Sequence, residues 1–198
     1  MLARFAKMLS SFFISKALIQ EEEREVYDYC FEIMLSTVLN LMVVLFISII
    51  THTIIPTIFY IVSFMIVRKT AGGYHAESHL ACLAILVLSY VSFLVLLHIL
   101  PNTWLKIASI VFVLISGVLV FFLSPIEDHN KLLTEEETKK FKKKSRITIL
   151  LLSLLTVVLI ALLSNEQIPF SLASGMFTVS ISLIAGKIKN YKINFSRA

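Results

Sequence analysis

Arg68-Lys69-Thr70-Ala71-Gly72-Gly73-Tyr74-His75-Ala76-Glu77-Ser78-His79-Leu80-Ala81-Cys82 is a polar island between two long apolar runs. It has a basic doublet at its front, a Gly pair, and three imidazole or thiol side chains within eight positions. The flanking runs belong to a chain of 198 residues that is 58% hydrophobic and 16% charged, with a mean hydropathy of +0.88. A soluble domain is roughly 45–50% apolar, so this is membrane-protein composition. Spans and short connections account for most of the chain. Residues 1–198 therefore read as a single polytopic, all-α membrane domain, and the island is where its chemistry is concentrated.

Working outward, apolar segments of about the length that crosses a bilayer fall at about 29–50, 54–67, 79–100, 104–123, 147–163 and 170–185. The 54–67 segment is short for a bilayer, which calls for little tilt, extension by the turn residues or a partly re-entrant course. Pro125 to Arg146 reads as a long polar loop, acidic first and then basic, and the tail from Lys187 is basic. Before the first span, residues 1–20 form an amphipathic pattern. Leu2, Phe5, Met8, Leu9, Phe12 and Phe13 recur at helical spacing, with Arg4, Lys7 and Ser11 opposite. Such a helix either lies in the membrane interface or packs against the bundle. Arg4, Lys7 and Lys16 interrupt it, and no Ala-x-Ala site follows, so it does not read as a cleavable signal.

Orientation follows from Lys and Arg in the short loops. With a cytoplasmic N-terminus, six spans place the Arg4–Arg24 segment, Arg68-Lys69, the Lys139–Arg146 run and the Lys187–Arg197 tail on the inner side. The opposite loops, 51–53, 101–103 and 164–169, contain neither residue type. Both termini and the island are thus expected at the cytoplasmic face of a bacterial cell membrane. The net charge of +5 then describes topology and contact with anionic lipid, and no nucleic-acid partner is expected. Cys30 and Cys82 lack CxxC spacing, so neither a disulfide framework nor a zinc knuckle follows. In the reducing cytoplasm Cys82 should be a reduced thiol.

The island can support nucleophilic catalysis, with Cys82 as nucleophile and His75 as base. On one continuous helix these residues would share a face but stand about 10.5 Å apart along the axis, with His75 leaning away from Cys82. A Cys–His pair needs contact at hydrogen-bond distance. Gly72-Gly73 permits a reversal, and Ser78 is a good N-cap. A helix break between Gly72 and Ser78 is therefore predicted, with Cys82 in the first turn of the next helix. There the helix dipole, aided by Arg68 or Lys69, favours a thiolate. Competing readings are a polar loop with an inert buried Cys, and a metal site from His75, His79 and Cys82. For the metal site, Glu77 stands two residues after the first His, where a zinc-protease helix places it one after. No metal and no cofactor are called for.

Glu32, and Asp28 one turn earlier on the same face, are carboxylates at the inner end of the first span. Either is a candidate to orient His75, and the plainer reading is a carboxylate that reaches water or pairs with a basic loop. The basic run could hold an acidic peptide, or it could simply flank the span and touch lipid.

Arg68, Gly72-Gly73-Tyr74-His75-Ala76 and Cys82, on a small six-span chain, resemble the AgrB family (accessory gene regulator protein B). Pro125-Ile126-Glu127-Asp128-His129-Asn130-Lys131 and the basic run to Arg146 fit as well. The resemblance implies a membrane cysteine endopeptidase that processes an AgrD-type pro-peptide into a cyclic quorum-sensing signal. It implies Cys82 as nucleophile, His75 as base, Arg68 and Gly73 as supporting residues, and Lys142, Lys143 and Lys144 in a basic stretch that meets substrate. A homodimer also fits the family. The alternative is a non-enzymatic transporter or signalling scaffold with a cytoplasmic docking motif. A transporter calls for polar residues near the middle of several spans, whereas these spans hold mainly Ser and Thr there.

Overall fold

The computed structural model describes residues 2–74, 79–126 and 134–195. Among them the chain is helical, with no strand: α1 (Leu2–Ser15), α2 (Arg24–Ile50), α3 (Ile54–Ala71), α4 (His79–Ile99), α5 (Asn102–Leu123), α6 (Glu135–Leu162) and α7 (Gln167–Phe195). All but α1 are long and apolar enough to cross a membrane. The chain is an all-α, multi-pass membrane protein.

Two compact units divide it, residues 1–51 and 52–198. In the first, α1 lies on α2. Ala6 and Ser10 are its buried residues, and small side chains there let the helices approach. The Ser10 hydroxyl donates to the Asp28 carboxylate. Arg24 donates to Ser11 at 2.7 Å, and the Phe13 and Phe31 rings meet at 5.4 Å. Phe5, Met8 and Phe12 of α1 stay exposed.

The second unit is arranged around α7, which packs against α3, α4, α5 and α6. Its buried Ala173, Met176, Val179 and Leu183 join Val67 and Ala71 of α3, Val113 and Val120 of α5, and Ile149 and Leu152 of α6. The distribution inverts that of a soluble protein. Ser63, Ser109, Ser116, Ser145, Thr156 and Ser180 are fully buried, while Leu114, Phe122, Leu150 and Leu154 face outward. Lipid is as apolar as Leu, so membrane helices gain by close packing of small residues rather than by hiding large ones. At Gly175 an added methyl would collide with the Ser63 hydroxyl and the Tyr60 carbonyl. That contact brings α3 and α7 together.

Three elements run longer than the hydropathy suggests. α3 carries on past residue 67 to Ala71, taking Arg68 and Lys69 into its last turn. α6 begins at Glu135 rather than at 147, so the supposed loop is largely helix. Its start is a capping box: the Thr134 hydroxyl accepts from the Glu137 amide at 3.2 Å, and the Glu137 carboxylate accepts from the Thr134 amide at 3.0 Å. α7 likewise continues through the basic tail to Phe195.

Candidate functional site

α3 ends where the Gly pair begins. Gly72 has φ 76° and Gly73 φ 146°, in the range that side chains resist. A Cβ on Gly72 would run into the Ile126 carbonyl. The Gly72 amide closes on the Arg68 carbonyl at 3.0 Å, and the Ile126 amide donates to the Ala71 carbonyl at 3.1 Å. The end of α3 is thus capped by the segment that follows α5. That segment is tied to α6 by a 2.5 Å hydrogen bond between Ser124 and Ser145.

Beyond the turn, the backbone of Tyr74 is gripped from both sides. Its amide donates to the Ser182 carbonyl at 3.0 Å and to the Ser182 hydroxyl oxygen at 2.9 Å. Its carbonyl accepts from Arg68 Nη2 at 2.7 Å. Arg68 Nη1 donates to Ser182 Oγ at 3.0 Å, and the guanidinium carbon lies 5.7 Å from the Phe64 ring centre. Lys189 Nζ stands 5.3 Å from the Tyr74 ring centre. α7 approaches closely enough that a Cβ on Gly186 would sit 3.1 Å from the Tyr74 nitrogen, and a Cβ on Gly73 2.7 Å from Ser182 Oγ.

Cys82 is half-buried in the first turn of α4. It is within electrostatic reach of the Arg68 guanidinium. Both hydrogen-bond acceptors of Arg68 named above are neutral. Arg68, Gly72 and Gly73 therefore meet in one place, with Tyr74, Ser182, Gly186 and Lys189 around them, and Cys82 opens the next helix. His75, Glu77 and Ser78 lie outside the described residues, as does the 127–133 stretch. Glu32 and Asp28 belong to the N-terminal unit, where Asp28 accepts from Ser10. Among the described residues no cluster of three His, Cys, Asp or Glu side chains is arranged to hold a metal ion.

The basic run is divided by its helical geometry. Lys139, Lys142, Lys143 and Arg146, with Ile147 and Leu150, line a depression of about 310 Å³ along one face of α6. Lys144 is exposed but is not part of that lining. Arg146 is fixed there by hydrogen bonds from Nε and Nη2 to the Phe121 carbonyl, at 3.3 and 3.2 Å. Its guanidinium lies 3.9 Å from the Phe121 ring centre.

The sequence reading gave no site role to Ser182, Gly186 and Lys189, and quoted Tyr74 only as part of the Gly-pair motif. A faint signal exists in α7, where Ser171, Gly175, Thr178, Ser182 and Gly186 recur three or four residues apart. This is the small-residue spacing of close helix contacts.

Residues 6–183 match the family model described as Accessory gene regulator B. An AgrB-like protein of Clostridium perfringens (strain SM101 / Type A) is 25% identical over 94% of this chain and 87% of its own length. A second from C. perfringens (strain 13 / Type A) shows the same identity and coverage. An AgrB-like protein of Listeria innocua is 28% identical over 63% of this chain and 61% of its own length. No solved structure matches. The match spans nearly all of the membrane helices and includes the Gly-pair turn and Cys82. The chain belongs to the AgrB family, whose members take part in processing the agr quorum-sensing peptide.

Proposed function

We propose that this chain is a cysteine endopeptidase that removes the C-terminal tail of an AgrD-type pro-peptide and closes the remainder into a ring. The observation that carries the reading is the Arg68 guanidinium held on the Gly72–Tyr74 turn, with the Cys82 thiol in the first turn of α4 and within its electrostatic reach. A nucleophilic thiol calls for a positive, partly exposed setting. Arg68 supplies positive charge, and the half-buried position leaves the sulfur within reach of a peptide.

In this mechanism Cys82 Sγ attacks a peptide carbonyl. The C–N bond breaks, His75 protonates the departing amine of the tail, and the rest of the peptide stays on Cys82 as a thioester. The thiol of an internal peptide Cys then attacks the same carbonyl. Its proton passes to the base, the bond to Cys82 breaks, and a thiolactone leaves; an internal Ser would give a lactone. Exchange between thioesters keeps the acyl group activated, provided water is kept from the site. The basic face of α6, with Lys142 and Lys143, suits an acidic tail. The site works at the cytoplasmic face of the cell membrane, among anionic lipids and in a homodimer.

The test is purified protein in liposomes with a pro-peptide containing an internal Cys, followed by mass spectrometry. Tail release should accompany a ring product one water lighter than the linear acid. Cys82→Ser and His75→Ala should release no tail. Parental rates in either variant refute the mechanism.

A further inference from the structure

We propose that Ser182 is a positioning residue for this site: its hydroxyl anchors the Arg68 guanidinium and fixes the backbone of Tyr74, from which the His75 segment departs. The inference rests on the proposed peptidase reading and adds a residue from a helix that the polar island does not include.

The hydrogen bonding of the other helix hydroxyls makes the case. A Ser or Thr inside a membrane helix ordinarily donates to a carbonyl one turn back. Ser109 does so to Leu105 at 2.7 Å, Thr178 to Ser174 at 2.9 Å and Ser180 to Met176 at 3.0 Å. Such a bond satisfies the hydroxyl without reference to any other element. Ser182 Oγ instead receives two donors from outside its helix, Arg68 Nη1 and the Tyr74 amide. A hydroxyl oxygen has two acceptor sites, and both are occupied. The Ser182 carbonyl takes a further share of the Tyr74 amide at 3.0 Å.

Space around the hydroxyl has been cleared for this contact. Gly73 and Gly186 are the positions where any side chain would press on Ser182 Oγ and on the Tyr74 nitrogen, respectively. One oxygen therefore joins α3, the turn and α7. Without it Arg68 keeps the Tyr74 carbonyl as acceptor but loses the second anchor that fixes the plane of its guanidinium. The charge is then free to swing away from the thiol, and the Tyr74 amide keeps only the carbonyl of residue 182.

The experiment reads alkylation of Cys82 by iodoacetamide in liposomes at neutral pH, in a Cys30→Ser background, with tail release measured in parallel. Ser182→Ala should slow alkylation roughly tenfold, as should Arg68→Lys, because each loosens the charge beside the sulfur. The double variant should be no slower than the slower single variant, since both changes break the Arg68–Ser182 contact. Parental alkylation by Ser182→Ala overturns the role, and so does a double-variant loss equal to the product of the two single losses. Should Ser182→Ala melt early in detergent, Ser182→Thr carries the test. It keeps the oxygen, so a parental alkylation rate supports the role, and slow alkylation by a parentally stable Thr variant overturns it. The proposed function fails separately: a parent protein that alkylates normally but releases no tail refutes the peptidase, whatever Ser182 does.

Discussion

Arg68 and Arg146 are two arginines of the C-terminal unit in similar surroundings. Each donates to a backbone carbonyl of a neighbouring segment and lies near a phenylalanine ring. They differ in how many elements they join. Arg146 donates two hydrogen bonds to the Phe121 carbonyl and stacks on the same residue's ring, so it fastens α6 to α5. Arg68 reaches the Tyr74 carbonyl on the turn and the Ser182 hydroxyl on α7, with the Cys82 thiol within electrostatic reach. The guanidinium is the same in both places. In the proposed site the guanidinium joins three elements, whereas at Arg146 it joins two. Substitutions should separate the two settings.

The largest effect belongs to the sulfur. Cys82→Ser keeps the geometry but replaces the thiol by a poor nucleophile, and tail release should fall by at least about a thousandfold. Gly73→Ala follows. Its Cβ would sit 2.7 Å from Ser182 Oγ and 3.1 Å from Arg68 Nη1, at a φ of 146° that Ala resists. The clamp must open by close to an ångström, and a misplacement of that size can cost roughly a hundredfold in rate. Alanine at Gly117, which has no neighbour within 4 Å of its Cβ position, should leave the rate unchanged. Equal rates for the two alanine variants would break the comparison, because the clamp would then carry no chemistry.

Charge on α6 should act on binding instead. Lys142→Gln or Lys143→Gln removes one cation from the depression and should raise KM for an acidic pro-peptide by about threefold at low salt. Added salt should erase the difference, as expected for exposed charges. Lys144→Gln, outside the lining, should change KM less. Arg146→Lys retains the charge but loses the two-pronged contact with the Phe121 carbonyl. It should cost roughly 1 kcal/mol of stability, read by denaturant unfolding in detergent, with no change in kcat. A loss of kcat in Arg146→Lys comparable to that in Arg68→Lys would show that the two arginines do the same work.

Much of this was legible in the residue string. Apolar runs marked the membrane helices, and the Gly pair marked the end of α3, because hydropathy and glycine are local signals. Helix length was harder to read. Lys139 to Arg146 looked like loop because the residues are polar, yet Lys and Arg are good helix formers, and Thr134-x-x-Glu137 was a readable helix start. Ser182 was legible only as one of the small residues spaced three or four apart in α7, and its role was not. In sequence it looks the same as Ser180, which bonds its own helix, and only the close approach of the turn to α7 tells them apart. Asp28 illustrates the same limit, since its Ser10 partner lies eighteen residues earlier on another helix.

The smallest effect tests where the phase of the basic face comes from. Lys139, Lys142, Lys143 and Arg146 share a side only because the helix runs unbroken from Glu135. Thr134 and Glu137 start it by exchanging hydrogen bonds between side chain and backbone. Thr134→Ala removes one half of that exchange at an exposed helix end, where losing a cap costs about 1 kcal/mol. The first turn should fray, and amides at Glu137 to Lys139 should exchange with deuterium roughly fivefold faster, since each 1.4 kcal/mol is tenfold. Fraying rarely travels far past the first turn, and Arg146, eleven residues into the helix, holds its own phase through Phe121. The Arg146 contact and tail release should therefore be untouched. Faster exchange reaching Arg146 would mean that the cap, rather than the Arg146–Phe121 contact, sets the register of the whole basic face.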